Sequence, residues 1–275
     1  MNPLVSVILP TYNRSSLLRR AIKSVLVQSY VDYELIIVDD CSIDNTEEVV
    51  NSFNDKRIFY YKLGQNTGGS FVPHQVGSNK SNGKYIAILD DDDYWLEIDK
   101  LRLQVEYLEK HPQTVLVGTN AITIDAEGDF KNRHSYSQTD SEIRNKLLMQ
   151  NCFVHSSVVY RRETYYDIGG YHPIKDGYYV NFANEIDLWL RMGMTGKLAN
   201  LPIYGVAFVY AASKLKTVNY IEFMVKHMKL IKQYKSSYPN HLKAYAWCMI
   251  TTILEIPILS ILKKAILKLK KRNIS

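Results

Sequence analysis

Four consecutive carboxylates follow a short apolar run in the first third of the chain. Residues 85–89 read Tyr-Ile-Ala-Ile-Leu, which is typical of a buried strand, and residues 90–93 are all aspartate. Adjacent carboxylates repel one another and, at a buried sheet edge, raise each other's pKa unless a cation neutralises them. Their oxygens suit Mg²⁺ or Mn²⁺, which typically also hold substrate phosphates. The run therefore predicts a divalent cation site, with a solvated acidic turn as the alternative.

Two further polar clusters follow predicted strands earlier in the chain. The apolar run 5–9 leads into Pro-Thr-Tyr-Asn at residues 10–13. The apolar run 34–38 leads into Asp39 and Asp40. In open α/β sheets, ligands bind beyond the carboxyl ends of the strands. Three separate strands would therefore deliver all three clusters to one edge of a sheet.

Strand and helix patterns alternate over the first hundred residues, and this alternation predicts the elements that must position the clusters. Predicted strands cover residues 5–9, 34–38, 57–61 and 85–89, with helices predicted near 15–28, 45–53 and 70–80. Such alternation predicts a mostly parallel sheet with helices on both faces. Further along, we predict strands at 115–118 and 156–160 and helices at 141–149 and around 187–194. An α/β fold class follows from this order.

The composition is that of an ordinary globular protein. The chain has 275 residues, 46% hydrophobic residues and a net charge of +6, which excludes disordered, collagen-like and disulfide-stapled classes. Its three cysteines are odd in number and lack metal-ligand spacing, which favours a reduced, cytoplasmic setting. The N-terminus has no basic segment ahead of the first strand, so we expect no signal peptide.

Positive charge is concentrated at the C-terminal end. Residues 213–275 carry 13 Lys and Arg against two acids. We therefore divide the chain into a domain over 1–210 and a basic, helical region over 211–275. The pattern at 258–269 predicts a basic amphipathic helix suited to an anionic membrane surface; a surface helix packed on the domain is the alternative. No nucleic-acid recognition motif accompanies the charge, so we expect no nucleic-acid partner.

Six segments of the sequence resemble family 2 glycosyltransferases, which have the GT-A fold. Three lie at 5–14, 34–42 and 83–95, and three more at 156–163, 168–171 and 184–191. Each segment is weak evidence alone, but their order and spacing are together specific for the family. The resemblance covers residues 3–205 and implies a nucleotide-diphospho-sugar donor, UDP-hexose first among them, and a Mn²⁺ or Mg²⁺ cofactor.

The resemblance also implies roles for residues of the first three clusters. Pro10, Thr11 and Tyr12 would line the base and ribose, with Tyr12 stacked on the base, although a core-packing role is the alternative. Asp40 would accept a hydrogen bond from the uracil imide; otherwise it caps the following helix. The family's Asp-x-Asp corresponds to Asp90, Asp91 and Asp92. Asp90 and Asp91 would contribute to nucleotide-sugar binding, Asp91 near the ribose, and Asp92 would hold the metal.

The general base of the family precedes a Leu-Trp-Leu-Arg helix, which is present here at residues 188–191. That alignment assigns the base to Glu185, with Asn184 where relatives usually have Glu. A carboxylate here can take the proton of the acceptor hydroxyl, and a single displacement inverts the anomeric configuration. One alternative is that Asp187 is the base and Glu185 is a charge at the helix N-terminus; another is that this segment supplies no base.

Two other places bear on the donor and acceptor. His74 and Gln75 stand where the family commonly has Arg-Asn, and Gln75 retains the capacity to contact the donor. His155 precedes Ser156 on a predicted strand and is interpreted as a satisfied core residue. Gly169 and Gly170 would shape the acceptor side of the cleft, or form a helix C-cap.

The resulting hypothesis is an inverting, metal-dependent glycosyltransferase. By resemblance it extends a saccharide, expected to be lipid-linked, in bacterial surface-polysaccharide synthesis such as O-antigen or capsule. We expect it to be cytoplasmic and peripheral at the inner face of the membrane. The alternatives are a catalytically silent glycan- or membrane-binding relative, and a Mg²⁺-dependent phosphohydrolase that uses Asp90 as nucleophile.

Overall fold

A single sheet organises the computed structural model, which describes residues 4–125, 127–172, 180–209 and 220–255. The strands are β1 (Val5–Thr11), β2 (Tyr33–Asp39), β3 (Ile58–Lys62), β4 (Tyr85–Ile88), β5 (Tyr94–Trp95), β6 (Thr114–Ile124), β7 (Phe130–His134), β8 (Val159–Arg161) and β9 (Lys197–Val209). The helices are α1 (Ser15–Leu26), α2 (Thr46–Asn51), α3 (Phe71–Asn79), α4 (Lys100–Lys110), α5 (Asp140–Lys146), α6 (Arg162–Asp167), α7 (Val180–Thr195), α8 (Tyr220–Tyr234) and α9 (His241–Glu255).

The first four strands form the parallel part of the sheet. They lie in the order β3-β2-β1-β4, and each neighbouring pair is parallel. Every residue of β1, β2 and β4 is buried, as expected for strands covered by helices on both faces. The predicted α/β class is confirmed, and in this half the sheet is parallel as predicted. Its carboxyl ends place Thr11, Asp39 and the aspartate run at one edge.

The second half of the sheet mixes directions. Strand β8 is antiparallel to both β4 and β6, β6 is parallel to β9, and β5 and β7 pair antiparallel with β9 and β6. The sequence analysis did not predict β5, β7 or β9. Strand β9 contains Pro202, and the pairing with β6 jumps from Leu201 to Tyr204. A proline at a bulge is compatible with a sheet, but in sequence it is indistinguishable from a turn.

Hydrophobic residues of the sheet alternate between two cores, one on each face. Leu9 and Ile37 belong to the core that includes α1 and α4, whereas Ile8 and Ile36 belong to the core that includes α7. This period of two is the expected consequence of strand geometry. The second core also contains Ile231, Tyr234, Tyr238 and Cys248 from the C-terminal part of the chain.

Helices α8 and α9 therefore pack on the same core as the sheet. The predicted division at residue 210 remains a prediction, because residues 210–219 and the predicted amphipathic helix 258–269 lie outside the described residues. Among the residues that the structure describes, every helix is too short or insufficiently apolar to cross a lipid bilayer.

One buried carboxylate joins α8 to α7. Asp187 accepts hydrogen bonds from Arg191 Nε at 2.8 Å and from the Tyr234 hydroxyl at 2.5 Å. The side chains of Asp187 and Arg191 are 6% and 10% exposed. A pair removed this far from water depends on both partners, because losing one leaves an uncompensated charge.

We expect Asp187→Asn to lower the free energy of unfolding by about 3 kcal/mol, since the buried Arg191 guanidinium loses its counter-charge. Urea denaturation at pH 7 measures the effect. The matched control is Asp167→Asn on the exposed side of α6, which is expected to change stability by about 0.5 kcal/mol or less. Equal stability of the two variants would show that the Asp187–Arg191 pair is not structural.

Candidate active site

A cleft of about 440 Å³ opens at the carboxyl ends of β1, β2 and β4. It brings together residues from all three polar clusters and from the loop before α3. Its lining residues are Pro10, Thr11, Tyr12, Arg14, Asp40, Asn66, Gly68, Gly69, Ser70, Pro73, Asp90, Asp91 and Asp92. Seven of the eight residues predicted to bind nucleotide sugar or metal thus line one cavity. Gln75, the eighth, lies in α3 outside this set.

The loop after β1 is held by hydrogen bonds to the loop after β2. Asn13 has a positive φ of 51°, a conformation that asparagine tolerates better than most residues. Its backbone N–H donates to Ser42 Oγ, and its side-chain oxygen accepts from the Ile43 N–H. These bonds fix the neighbouring Tyr12, whose side chain is 43% exposed. Tyr12 is thus free to stack on a planar ligand and is not a core residue.

Asp40 is bound by the loop that precedes α3. Its carboxylate accepts hydrogen bonds from the Thr67 N–H at 3.0 Å, Thr67 Oγ1 at 2.8 Å and Asn66 Nδ2 at 3.2 Å. Burial raises the pKa of Asp40 although these hydrogen bonds oppose the shift. Helix α2 begins only at Thr46, with Asn45 as the preceding residue. The helix-cap interpretation of Asp40 is therefore wrong.

Asp91 and Asp92 share one cation from the chain itself. Arg14 Nη1 lies 2.8 Å from Asp91 Oδ1 and 2.8 Å from Asp92 Oδ2. Thr11 Oγ1 donates to the other oxygen of Asp91 at 2.9 Å. Burial raises the pKa of Asp91 to about 6, against the lowering effect of Arg14. Two carboxylates that converge on one positive group at a cleft wall fit the requirements of a divalent cation.

Asp93, the last residue of the run, connects the aspartates to neighbouring elements of the fold. Its carboxylate accepts hydrogen bonds from Ser156 Oγ at 2.5 Å and from the Val209 N–H at 3.1 Å. Burial and the neighbouring Asp92 and Asp90 raise the pKa of Asp93 well above its usual range. Asp93 therefore ties the end of β9 to the aspartate run and does not face the cleft ligand.

Asp90 lies between two histidines. Its oxygens are 3.1 Å from His74 Nε2 and 3.2 Å from His155 Nδ1, and His155 Nε2 is 2.9 Å from the Tyr171 hydroxyl. Burial lowers the pKa of His155, but the Asp90 and Glu185 carboxylates outweigh it and raise the value to about 9. Burial lowers the pKa of His74. These opposite pKa shifts favour a neutral His74 and an ion pair between the buried His155 and the partly exposed Asp90.

These three residues have a second possible use. One ligand atom from each of His74, Asp90 and His155 lies within 4.8 Å of the other two, so the group could hold a metal ion. The Tyr171 hydroxyl is placed to orient His155 in such a site. His155 is buried with both nitrogens paired, as expected of a core histidine, but its partner is a residue of the cleft.

Glu185 and Asp187 differ sharply in their surroundings. Glu185 is half-buried near the start of α7, and it accepts one hydrogen bond, from Asn151 Nδ2 at 3.3 Å. Burial raises the pKa of Glu185 to about 7; Asp90 adds to the shift and His155 opposes it. Asp187 is fully engaged with Arg191 and Tyr234. Of the two candidate bases, Glu185 is the less buried residue, and its pKa is suited to accepting a proton near neutrality.

The two glycines on the predicted acceptor side terminate α6. Gly169 and Gly170 have φ values of 79° and 66°, and their amides donate to the carbonyls of Tyr166 and Tyr165. A Cβ at position 170 would lie 2.8 Å from the Tyr165 ring. The local geometry thus requires glycine for the helix C-terminus, and a role toward an acceptor stays a prediction.

Arg14 is the site residue that the sequence analysis missed. It lies inside one of the family-like segments, but nothing in its spacing indicates that it reaches the aspartates 77 and 78 positions away. One signal was available: Arg14 is a basic residue at the start of a helix, where negative charge is favoured, and this indicates that it has an acidic partner elsewhere.

The fold and the cleft define a glycosyltransferase. The family model described as Glycosyl transferase family 2 matches residues 6–169, more than half of the chain, and the chain therefore belongs to this family. Over 108 residues it is 41% identical to "Putative teichuronic acid biosynthesis glycosyltransferase TuaG" of Bacillus subtilis, a match that covers 38% of this chain and 42% of TuaG.

Further relatives agree with this assignment. The chain is 36% identical over 121 residues to "UDP-Glc:alpha-D-GlcNAc-diphosphoundecaprenol beta-1,3-glucosyltransferase WfgD" of Escherichia coli, covering 43% of this chain and 46% of WfgD. It thus spans less than half the length of either relative. These relatives confirm the predicted resemblance to bacterial surface-polysaccharide glycosyltransferases.

Solved structures confirm the GT-A fold. The structure of S. aureus TarS 1–349 in complex with UDP-GlcNAc superposes with a TM-score of 0.68 at 17% identity, covering 87% of this chain and 68% of that one. The mannosyltransferase PcManGT from Pyrobaculum calidifontis, in complex with GDP-Man and Mn²⁺, gives a TM-score of 0.60 at 17% identity and covers 93% of this chain and 71% of that one.

Proposed function

We propose that the protein is an inverting, metal-dependent hexosyltransferase that uses a nucleotide-diphospho-sugar, with UDP as the favoured nucleotide. The observation that carries the proposal is the cleft in which Tyr12, Asp40, Asp91 and Asp92 converge from three strands. An exposed aromatic ring, a buried carboxylate and a pair of metal-competent carboxylates are the groups that a base, an imide and a diphosphate need. The names of WfgD and of the TarS complex, which contain UDP-Glc and UDP-GlcNAc, support a UDP-sugar.

The donor would be oriented by residues that already hold fixed positions. Tyr12 stacks on the base, and Asp40, held by Thr67 and Asn66, accepts from the imide N–H. Asp91 stands nearest the ribose, where Thr11 orients its carboxylate. Asp92 would hold the cation, which supplies Lewis-acid stabilisation of the departing diphosphate. The fit rests on Arg14, a cation that already bridges Asp91 and Asp92.

Glu185 would act as the general base. Its raised pKa of about 7 leaves the carboxylate ionised above neutrality yet basic enough to take the proton of an attacking hydroxyl. Glu185 is close enough to His155 and Asp90 for their charges to affect its pKa, and Asp90 lines the cleft, which supports a role for Glu185 beside the donor. A single displacement with this base inverts the anomeric centre. The phosphohydrolase alternative is disfavoured because both oxygens of Asp90 are engaged by histidines.

The acceptor is proposed to be a lipid-linked saccharide of a surface polysaccharide. The names of TuaG and WfgD, which refer to teichuronic acid and to a diphosphoundecaprenol-linked sugar, support this acceptor class. The basic C-terminal segment would hold the enzyme at an anionic inner membrane surface, where such an acceptor resides.

Calorimetric titration tests the donor site. We expect UDP to bind in the presence of Mn²⁺, with GDP and dTDP weaker, and we expect Asp92→Asn to abolish the Mn²⁺ dependence. The matched variant His74→Gln removes one member of the His74–Asp90–His155 group and is expected to keep that dependence. If His74→Gln instead abolished the Mn²⁺ dependence and Asp92→Asn kept it, the cation would be assigned to the His74–Asp90–His155 group. If the folded protein bound none of the nucleotides, a catalytically silent binding relative would be favoured.

The general base is tested by Glu185→Gln. Because the amide cannot take a proton, we expect transfer to fall by about 10²–10⁴-fold, while UDP binding is unchanged. In the wild type, transfer should decline below pH 7 as Glu185 becomes protonated, since its pKa is raised to about 7. Glu163→Gln, at an exposed position of α6, serves as control. Near-normal turnover in the first variant would remove Glu185 from the mechanism.

Membrane attachment is tested by deletion of residues 258–275. We expect the full-length protein to sediment with liposomes that contain anionic lipid and to dissociate as salt rises, because the attraction is electrostatic. The shortened protein should stay in the supernatant at every salt concentration. Co-sedimentation of the shortened protein would assign the membrane contact to another part of the chain.

A further inference from the structure

Arg14 occupies the position that the proposed function gives to the divalent cation. A single nitrogen, Nη1, is 2.8 Å from an oxygen of Asp91 and 2.8 Å from an oxygen of Asp92. Its side chain is 37% exposed and forms part of the cleft wall. The backbone beside it is fixed by the hydrogen bonds of Asn13 to the β2–α2 loop. A long side chain on a fixed anchor can therefore exchange partners while the loop stays in place.

A guanidinium at this position opposes a free metal ion. A divalent cation bound to Asp92 would lie only a few ångströms from Arg14 if the side chain stayed where it is, and the two would repel each other. Arg14 already offsets one of the two negative charges of Asp91 and Asp92, so a metal ion that binds without a nucleotide gains less than it would if Arg14 were absent. In the part of the chain that the structure describes, the side-chain contacts of Arg14 are to Asp91 and Asp92.

A diphosphate changes this balance. It brings negative charge into the cleft that Arg14 lines, and the planar guanidinium matches phosphate oxygens well. Arg14 can then leave the aspartates for the phosphates, which frees the carboxylates for the cation. The cation in turn neutralises charge that Arg14 alone cannot.

We propose that Arg14 is the resident counter-ion of the donor site and that it makes the divalent cation and the nucleotide diphosphate bind as a pair. In the empty site it holds Asp91 and Asp92 and weakens the binding of metal ion alone. In the loaded site it contacts the diphosphate and helps to stabilise the leaving group. The inference rests on the proposed function, and it adds a catalytic residue that directly touches the donor.

The coupling between the two ligands is measurable without turnover. Mn²⁺ binding is followed by electron paramagnetic resonance of the free ion, with and without UDP, and is corrected for the Mn²⁺–UDP complex measured in buffer. In the wild type we expect UDP to strengthen Mn²⁺ binding by about 5–150-fold, the usual range of coupling between two sites. Linkage requires Mn²⁺ to strengthen UDP binding by the same factor.

Arg14→Gln isolates the proposed role. Without the guanidinium, we expect Mn²⁺ alone to bind about 10-fold more tightly, because the repulsion is gone, and UDP alone to bind more weakly. The coupling factor should therefore shrink. The matched control is Arg19→Gln, since Arg19 lies on the same helix and donates to Ser52, away from the aspartates. It is expected to behave as the wild type.

The outcomes separate this inference from the proposed function. If the wild type binds Mn²⁺ and UDP together but Arg14→Gln binds Mn²⁺ alone no better than Arg19→Gln, the inference is wrong and the donor site stands. If the wild type binds neither ligand, both fail. Arg14→Lys retains the charge and should resemble the wild type in Mn²⁺ binding. A lysine variant that matches the glutamine variant would overturn the argument from charge.

Discussion

Providing four adjacent aspartates with charged and hydrogen-bonding partners is the constraint on which the rest of the molecule depends. They follow a fully buried strand, so their charges cannot simply be left to solvent. Their partners come from several separate parts of the chain. His74 and His155 hold Asp90, Arg14 holds Asp91 and Asp92, and the Ser156 hydroxyl with the Val209 amide holds Asp93. Helices α1 and α3 and strands β8 and β9 are thereby brought to one edge.

The same arrangement connects the donor half to the helix that carries the proposed base. Burial and the Asp90 carboxylate raise the pKa of Glu185, His155 lowers it, and the result is a value of about 7. Two residues later, Asp187 holds α7 against α8 by accepting a hydrogen bond from Tyr234. Two acids in one short segment, Glu185 and Asp187, therefore differ in their surroundings. Asp187 fixes the helix that carries Glu185, the proposed general base.

The parallel strands and the three polar clusters could be predicted from the sequence because each is a pattern of a few consecutive residues. The apolar runs before Pro10, Asp39 and Asp90 are short and continuous, and parallel strands place their ends together by geometry alone. Helix α4 could also have been found, since Leu101, Val105 and Leu108 have helical spacing. Strand β9 could not, because Pro202 at its bulge looks like a turn. The contacts of Arg14 and His155 depend on tertiary distance, which no periodicity encodes.

The pairing of β5 with β9 has a consequence for how this family can be recombined. Tyr94 and Trp95, immediately after the aspartates, pair with Ala207 and Val206, and Asp93 binds the Val209 amide. The parallel half of the sheet and the aspartate run are therefore continuous in sequence, but they are closed in space by β9, a strand more than a hundred residues later in the chain. A chimera joined between the halves would pair an aspartate loop with a foreign strand. Exchange of a whole unit that ends beyond residue 209 would preserve that closure, because β5, the aspartates and β9 would then come from one parent.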